Sequence, residues 1–307
     1  MTLPNKLGRG QRRALRVIGW AIVAVTLYYF TVAVAQHWSQ IAAWSPGWQA
    51  WAIVFAAIFY YATALLLLAE LWHGLVQGTQ DQTFSRALTF STYSKTQIAK
   101  YLPGNVFQYL GRHIVMADHG ASQGGLALAN ILEICTLILV AGLFALIGFT
   151  FGAAPHSLEI SDVIPIHWLV PTAMVIAILM IILITRKLRT LPNAPSRQRL
   201  IYGSLLASIF FLAMGFTLLV LVGLVSGDYD PAIIVIAVTS WLLGYVTPGA
   251  PGGIGIREFV LLIFLQAYIP EAEALIAIGL FRVVTSLGDL AFFIGGAFLW
   301  RISPRVE

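Results

Sequence analysis

KYLPGNVFQYLGR at residues 100–112 and TPGAPGGIGIRE at residues 247–258 are the two stretches on which the fold of this chain turns. Each sets a Pro-Gly pair, Pro103-Gly104 and Pro248-Gly249, ahead of an arginine, Arg112 and Arg257. Seven residues separate glycine from arginine in both, and the second copy begins 145 residues after the first. Proline removes an amide donor and clashes with the preceding turn, so the pair ends or kinks a helix. At membrane depth such a break is tolerated only where protein or a water-filled cavity satisfies the freed backbone groups. One helix-breaking device with an arginine at fixed spacing, once in each half of an apolar chain, predicts two broken helices that share a task.

Of the 307 residues, 59% are hydrophobic and 10% charged, against about a quarter charged in a soluble domain. The chain therefore reads as an all-α polytopic membrane protein. Apolar stretches near 17–36, 49–72, 125–151, 167–185, 201–225 and 273–300 approach or exceed the roughly 20 residues that cross a hydrocarbon core, giving six full spans. Two segments fit neither span nor loop. The one near 86–112 is too polar for lipid yet carries an apolar face, and the one near 231–269 is apolar but interrupted by PGAPGGIG. A re-entrant or broken helical hairpin explains each.

Lysine and arginine set the orientation. The tail at 1–16, the loop at 186–199 and the tail at 301–307 are basic and should be cytoplasmic. The segments 37–48, 152–166, 226–231 and 270–273 hold no lysine or arginine and should face outward. The chain then divides into a first membrane repeat at 17–151, an external loop at 152–166 and a second membrane repeat at 167–300. Three full crossings per half invert the second repeat relative to the first, an arrangement found in secondary transporters. The alternative is a polytopic protein whose two breaks are unrelated kinks.

Residues 17–35 also resemble a signal peptide, but the apolar run exceeds the usual length, and a retained first helix is expected. The single cysteine, Cys135, lies inside a span, so no internal disulfide is expected. The sequence GGIGIRE lacks the strand context of a dinucleotide fingerprint, and no zinc spacing, phosphate loop or nucleophile motif occurs, so neither cofactor nor metal is expected. The net charge of +5 sits mostly in juxtamembrane tails, which points to anionic lipid rather than nucleic acid. No hydrophilic stretch approaches the size of a catalytic domain, and no enzymatic activity is expected.

Ionisable groups within membrane segments are costly and are functional candidates. Here they are Glu70, Lys95, Lys100, Arg112, Glu133, Arg257, Glu258, Arg282 and Asp289. An arginine fork binds phosphate or carboxylate in bidentate fashion, and a half-helix starting after a break aims free N–H groups and a positive dipole end at the same place. Arg112 and Arg257 would together make an anion site. Alternatively each ties its hairpin to a carboxylate on a neighbouring span, Glu133 for Arg112 and Asp289 for Arg257. Glu133 lies about 12 Å into its span at 1.5 Å per residue, and it and Asp289 serve either coupling or charge pairing. Glu70, near a helix end, should reach the interface. Lys95 and Lys100 either gather headgroups at a cavity mouth or lie on a solvated face. Trp38, Trp44, Trp48, Trp51, Trp72, Trp168 and Trp300 are expected in interfacial belts.

These two motifs resemble the paired signatures of the lysylphosphatidylglycerol synthase transmembrane family, in their order, their breaks, their arginines and the following Glu258; the resemblance covers about residues 15–300. It implies the flippase-like half of the two-domain members without the soluble synthase, in a bacterial inner membrane. It also implies a translocase for a phosphate-bearing phospholipid, polyprenyl phosphate or glycolipid. The substrate would then be held by Lys100, Pro103, Gly104, Arg112, Pro248, Gly249, Gly252, Gly253, Arg257, Glu258 and Arg282. Membrane lipids are the expected partners, with a homo-oligomer or a lipid-biosynthesis enzyme left open. A small-anion secondary transporter and a non-catalytic accessory subunit of a lipid-modifying enzyme are the rival functions.

Overall fold

The computed structural model describes residues 28–102, 106–150, 194–247 and 251–302. Among them helix is the only regular structure. Four helices are long and apolar enough to cross a membrane: α1 (Trp48–Thr79), α4 (Gln123–Thr150), α5 (Arg197–Ser226) and α8 (Glu271–Ile302). A short helix, Trp38–Ala43, precedes α1. Of the six expected spans, the one near 167–185 lies outside the described residues, as do the loop at 152–166 and most of the span near 17–36. So do Pro103, Gly104, Pro248, Gly249 and the two terminal tails, residues 301 and 302 excepted.

Both segments flagged as hairpins fold as two short helices around a break. In the first, α2 (Arg86–Gln97) runs into a 3-10 turn at Ile98–Tyr101, and the chain resumes as α3 (Phe107–Ala117). In the second, α6 (Ala232–Val246) is followed by a 3-10 turn at Pro251–Gly253 and then α7 (Ile256–Leu265). The arms of each unit pack on one another, and the two 3-10 turns touch. Long helix, short helix, break, short helix, long helix thus occurs twice in order along the chain.

The polar composition of α2 is explained by its burial. Ser85 caps the helix, accepting from the Leu88 amide at 3.2 Å. Thr89, Ser91, Ser94 and Thr96 return their hydroxyls to carbonyls of the same helix, which satisfies them without water. Thr89, Ser91, Thr92, Tyr93, Ser94, Thr96 and Gln97 are all buried, because α8 and α1 lie against this arm. Small residues allow that approach. A Cβ added at Gly296 of α8 would collide with Ser94 Oγ, and one at Gly288 would stand 2.7 Å from Tyr61 Cδ1 of α1.

Large apolar side chains elsewhere on the long helices, among them Phe55, Phe59, Leu205 and Phe216, are exposed, as a lipid-facing surface requires. Trp38, Trp48 and Trp51 are exposed as a belt would be. Trp72 departs from that expectation. It is fully buried, because its indole N–H donates to Asn130 Oδ1 at 2.9 Å inside the bundle, and a satisfied indole needs no interface.

Candidate functional site

The two broken segments meet around a cavity of about 40 Å³. A water occupies roughly 10–15 Å³ on this measure, so the space admits a few waters and no lipid headgroup. Lys100, Arg112, Glu133, Gly252, Gly253 and Arg257 line it, with Tyr61, Tyr93, Tyr109, Trp241 and Tyr245 among its aromatic walls. Six candidates scattered over 158 positions of sequence therefore share one space. A larger groove of about 540 Å³ runs between α4, α5 and α6 past Cys135, Ser204 and Ser208, but no ionisable side chain other than that cysteine lines it. The charged cavity is the better candidate for chemistry.

The first arginine is enclosed by a carboxylate and three aromatic rings, with its Nε left without a hydrogen-bond partner. Arg112 is almost wholly buried and forms an ion pair with Glu133, itself buried. Its guanidinium lies 4.0 Å from the ring centre of Tyr93, 5.1 Å from Trp72 and 5.2 Å from Tyr109, close enough for attraction to each aromatic face. The Tyr93 hydroxyl donates to Glu133 Oε1 at 2.8 Å. Of the two roles left open for Arg112, the geometry thus contains the charge pair.

The second half is paired differently from expectation. Asp289 meets Lys100, 2.7 Å away, and accepts from the Tyr101 hydroxyl at 2.5 Å; it does not pair with Arg257. The 3-10 turn before the first break delivers Lys100 and Tyr101 to α8, a path that spacing alone does not reveal. Glu258 uses both carboxylate oxygens: Oε2 accepts the Gly255 amide at 2.7 Å at the start of α7, and Oε1 pairs with Arg282. Glu70 accepts from Arg86 at 3.0 Å, holding α2 to α1.

Arg257 is left without a carboxylate among the described residues. Its side chain runs through a slot made by two glycines. A Cβ at Gly244 would lie 2.5 Å from Arg257 Cγ, and one at Gly253 would lie 2.5 Å from its Nε. Gly252, Gly253 and Gly255 have φ values of 58°, 76° and 85°, a region open to glycine and strained for other residues. The PGGIG run is therefore needed both for its backbone path and for the room it gives the guanidinium. Trp241 stands 5.7 Å from Arg257 at the ring centre and stacks on Tyr245 with 4.6 Å between rings. Tyr245 in turn shares a 2.5 Å hydrogen bond with Tyr109, which ties the second arm of the first unit to the first arm of the second.

The tyrosines of the site were not among the residues the sequence singles out. Tyr93, Tyr101, Tyr109 and Tyr245 all join the charged network, and three of them lie within six residues of a Pro-Gly pair. That proximity was a usable signal. Gln97, which accepts from Arg112 Nη2 at 3.4 Å, and Asn130, which accepts from Trp72, gave none.

No protein-family model matches this chain, and no curated protein sequence matches it.

Proposed function

We propose that this protein is a lipid translocase that carries a phosphate-bearing headgroup past the bilayer midplane while the acyl chains stay in lipid. One observation carries the reading: both broken segments, with Lys100, Arg112 and Arg257, converge on a single buried cavity in a protein with four helices fit to cross a membrane. A charge at the bilayer centre costs several kcal/mol without partners, and a cleft of fixed cations lowers that cost for an anionic headgroup. The doubled element order and the resemblance to the lysylphosphatidylglycerol synthase transmembrane family support the same reading, with the two units opening to opposite faces of an inner membrane and both termini cytoplasmic.

The cavity is smaller than any headgroup, so passage requires the units to part. The Tyr109–Tyr245 hydrogen bond and the Lys100–Asp289 pair are the contacts that would yield. The same small volume favours a second reading, a transporter of small soluble anions. Reconstitution into liposomes separates them. A translocase speeds leaflet exchange of a marked phospholipid or polyprenyl phosphate and returns it chemically unchanged, whereas uptake of a soluble anion with no lipid exchange establishes the second reading.

A further inference from the structure

Of the described cations that line the central cavity and the void beside it, Lys100, Arg112 and Arg282 each pair with a carboxylate and Arg257 does not. Arg112 pairs with Glu133, Lys100 with Asp289 and Arg282 with Glu258. Arg257 has no such partner among the described residues, so four cations stand against three carboxylates. An uncompensated buried charge is expensive. The local backbone is nevertheless shaped to hold this one, with Gly244 and Gly253 cut back to admit it.

A second observation points the same way. Arg257 lines the central cavity and also a void of about 10 Å³ that it shares with Arg282, Tyr61 and Trp241. The buried Nε of Arg257 and the buried Nη2 of Arg282 have no hydrogen-bond partner, as is also true of the Nε of Arg112, although nearly all buried donors in folded proteins are satisfied; what sets Arg257 apart is that it lacks a carboxylate among the described residues as well. Two unpartnered donors from separate helices, on residues that line the same void, suit an acceptor with more than one oxygen. The charge surplus calls for one negative charge.

We propose that Arg257, assisted by Arg282, binds a monoanionic phosphodiester and that the site selects it over a dianionic phosphomonoester. This rests on the translocase reading and narrows its substrate class. A phosphodiester carries one negative charge and two free oxygens that suit the fork of an arginine. A phosphomonoester carries about 1.5 to 2 negative charges near neutral pH, and the second charge would find no cation in the lining that is free of a carboxylate.

Ligand stabilisation of the native state measures this directly. The full chain in detergent micelles at pH 8 is titrated with dihexanoyl phosphatidylglycerol, dihexanoyl phosphatidic acid, dimethyl phosphate and inorganic phosphate, reading the unfolding temperature. Phosphatidylglycerol should stabilise saturably, with affinity at least tenfold above phosphatidic acid. Arg257→Gln should lose at least tenfold of that affinity. Asp289→Asn unpairs Lys100, raises the surplus to two and should turn the preference toward phosphatidic acid. Binding of dimethyl phosphate in place of the lipid would keep the monoanion site and assign its source to soluble phosphodiesters. Wild-type preference for the dianions, no saturable binding of any of the four, or unchanged binding in Arg257→Gln would overturn the proposal; the wild-type comparison needs no variant to fold. Leaflet exchange without charge preference removes this inference alone. Charge preference without leaflet exchange keeps the site and removes the translocase.

Discussion

Replacing Glu133 by glutamine should destabilise the protein far more than the loss of an ordinary membrane hydrogen bond, and removing Arg112 at the same time should restore much of the loss. The pair is buried on both sides, with 1% and 2% of the side chains exposed. Breaking a buried ion pair from one side costs about 3 to 5 kcal/mol, because the remaining charge is stranded. Interhelical hydrogen bonds in membranes are worth about 0.6 kcal/mol on average and less than about 2 kcal/mol at most, so the two explanations are separable. Arg112→Gln strands Glu133 and also vacates the faces of Tyr93, Trp72 and Tyr109, adding about 2 kcal/mol for a desolvated cation over rings. In the double variant neither charge is stranded, and a coupling of about 3 kcal/mol is expected. Unfolding in mixed micelles by SDS titration, or steric trapping in bicelles, reads all four corners of the cycle. Additive losses, with coupling below about 1 kcal/mol, would refute the view that Arg112 is held chiefly by Glu133.

Gly253→Ala should lower both stability and anion binding, since it costs roughly 1–2 kcal/mol of left-handed backbone and drives a methyl into Arg257 Nε. Gly227→Ala has a comparable φ of 80° and open space around it, so it should lose stability alone; equal anion binding in the two variants would show that the slot does not position Arg257. Tyr109→Phe deprives the Tyr245 hydroxyl of its partner and should cost about 1–3 kcal/mol, with Tyr109→Phe/Tyr245→Phe recovering part of it; a double variant as weak as the sum of the singles would show no link between the units there. In a Cys135→Ser background, Thr83→Cys should react with impermeant maleimide from the cytoplasmic side and Asp228→Cys from the external side. Reaction of both from one side contradicts the inverted arrangement.

The breaks, their flanking helices and the long apolar helices were legible because Pro-Gly pairs and hydrophobic length act locally, and both hairpin boundaries lie within a few residues of the helices observed. The partnership of Arg112 with Glu133 was one of two roles the sequence left open, and the matching pair of Arg257 with Asp289 is not formed. What the sequence did not reveal was long-range. Lys100 reaches Asp289 across 189 positions through a 3-10 turn whose direction depends on α8 packing against α2. Glu258 read as a site residue by its place in the motif, yet its carboxylate is spent on the Gly255 amide, a local consequence of the glycine-rich helix start, and on Arg282 of the next helix. With Asp289 and Glu258 so committed, Arg257 remains, and only the three-dimensional pairing singles it out.

Leaflet exchange in proteoliposomes tests the translocase most directly. Wild-type protein reconstituted with trace fluorescent phosphatidylglycerol should accelerate dithionite-accessible exchange well above protein-free vesicles, Arg257→Gln should return it close to that background, and the recovered lipid should be unaltered. Exchange equal in wild type and Arg257→Gln, or no exchange beside rapid uptake of a soluble anion, would contradict the central claim.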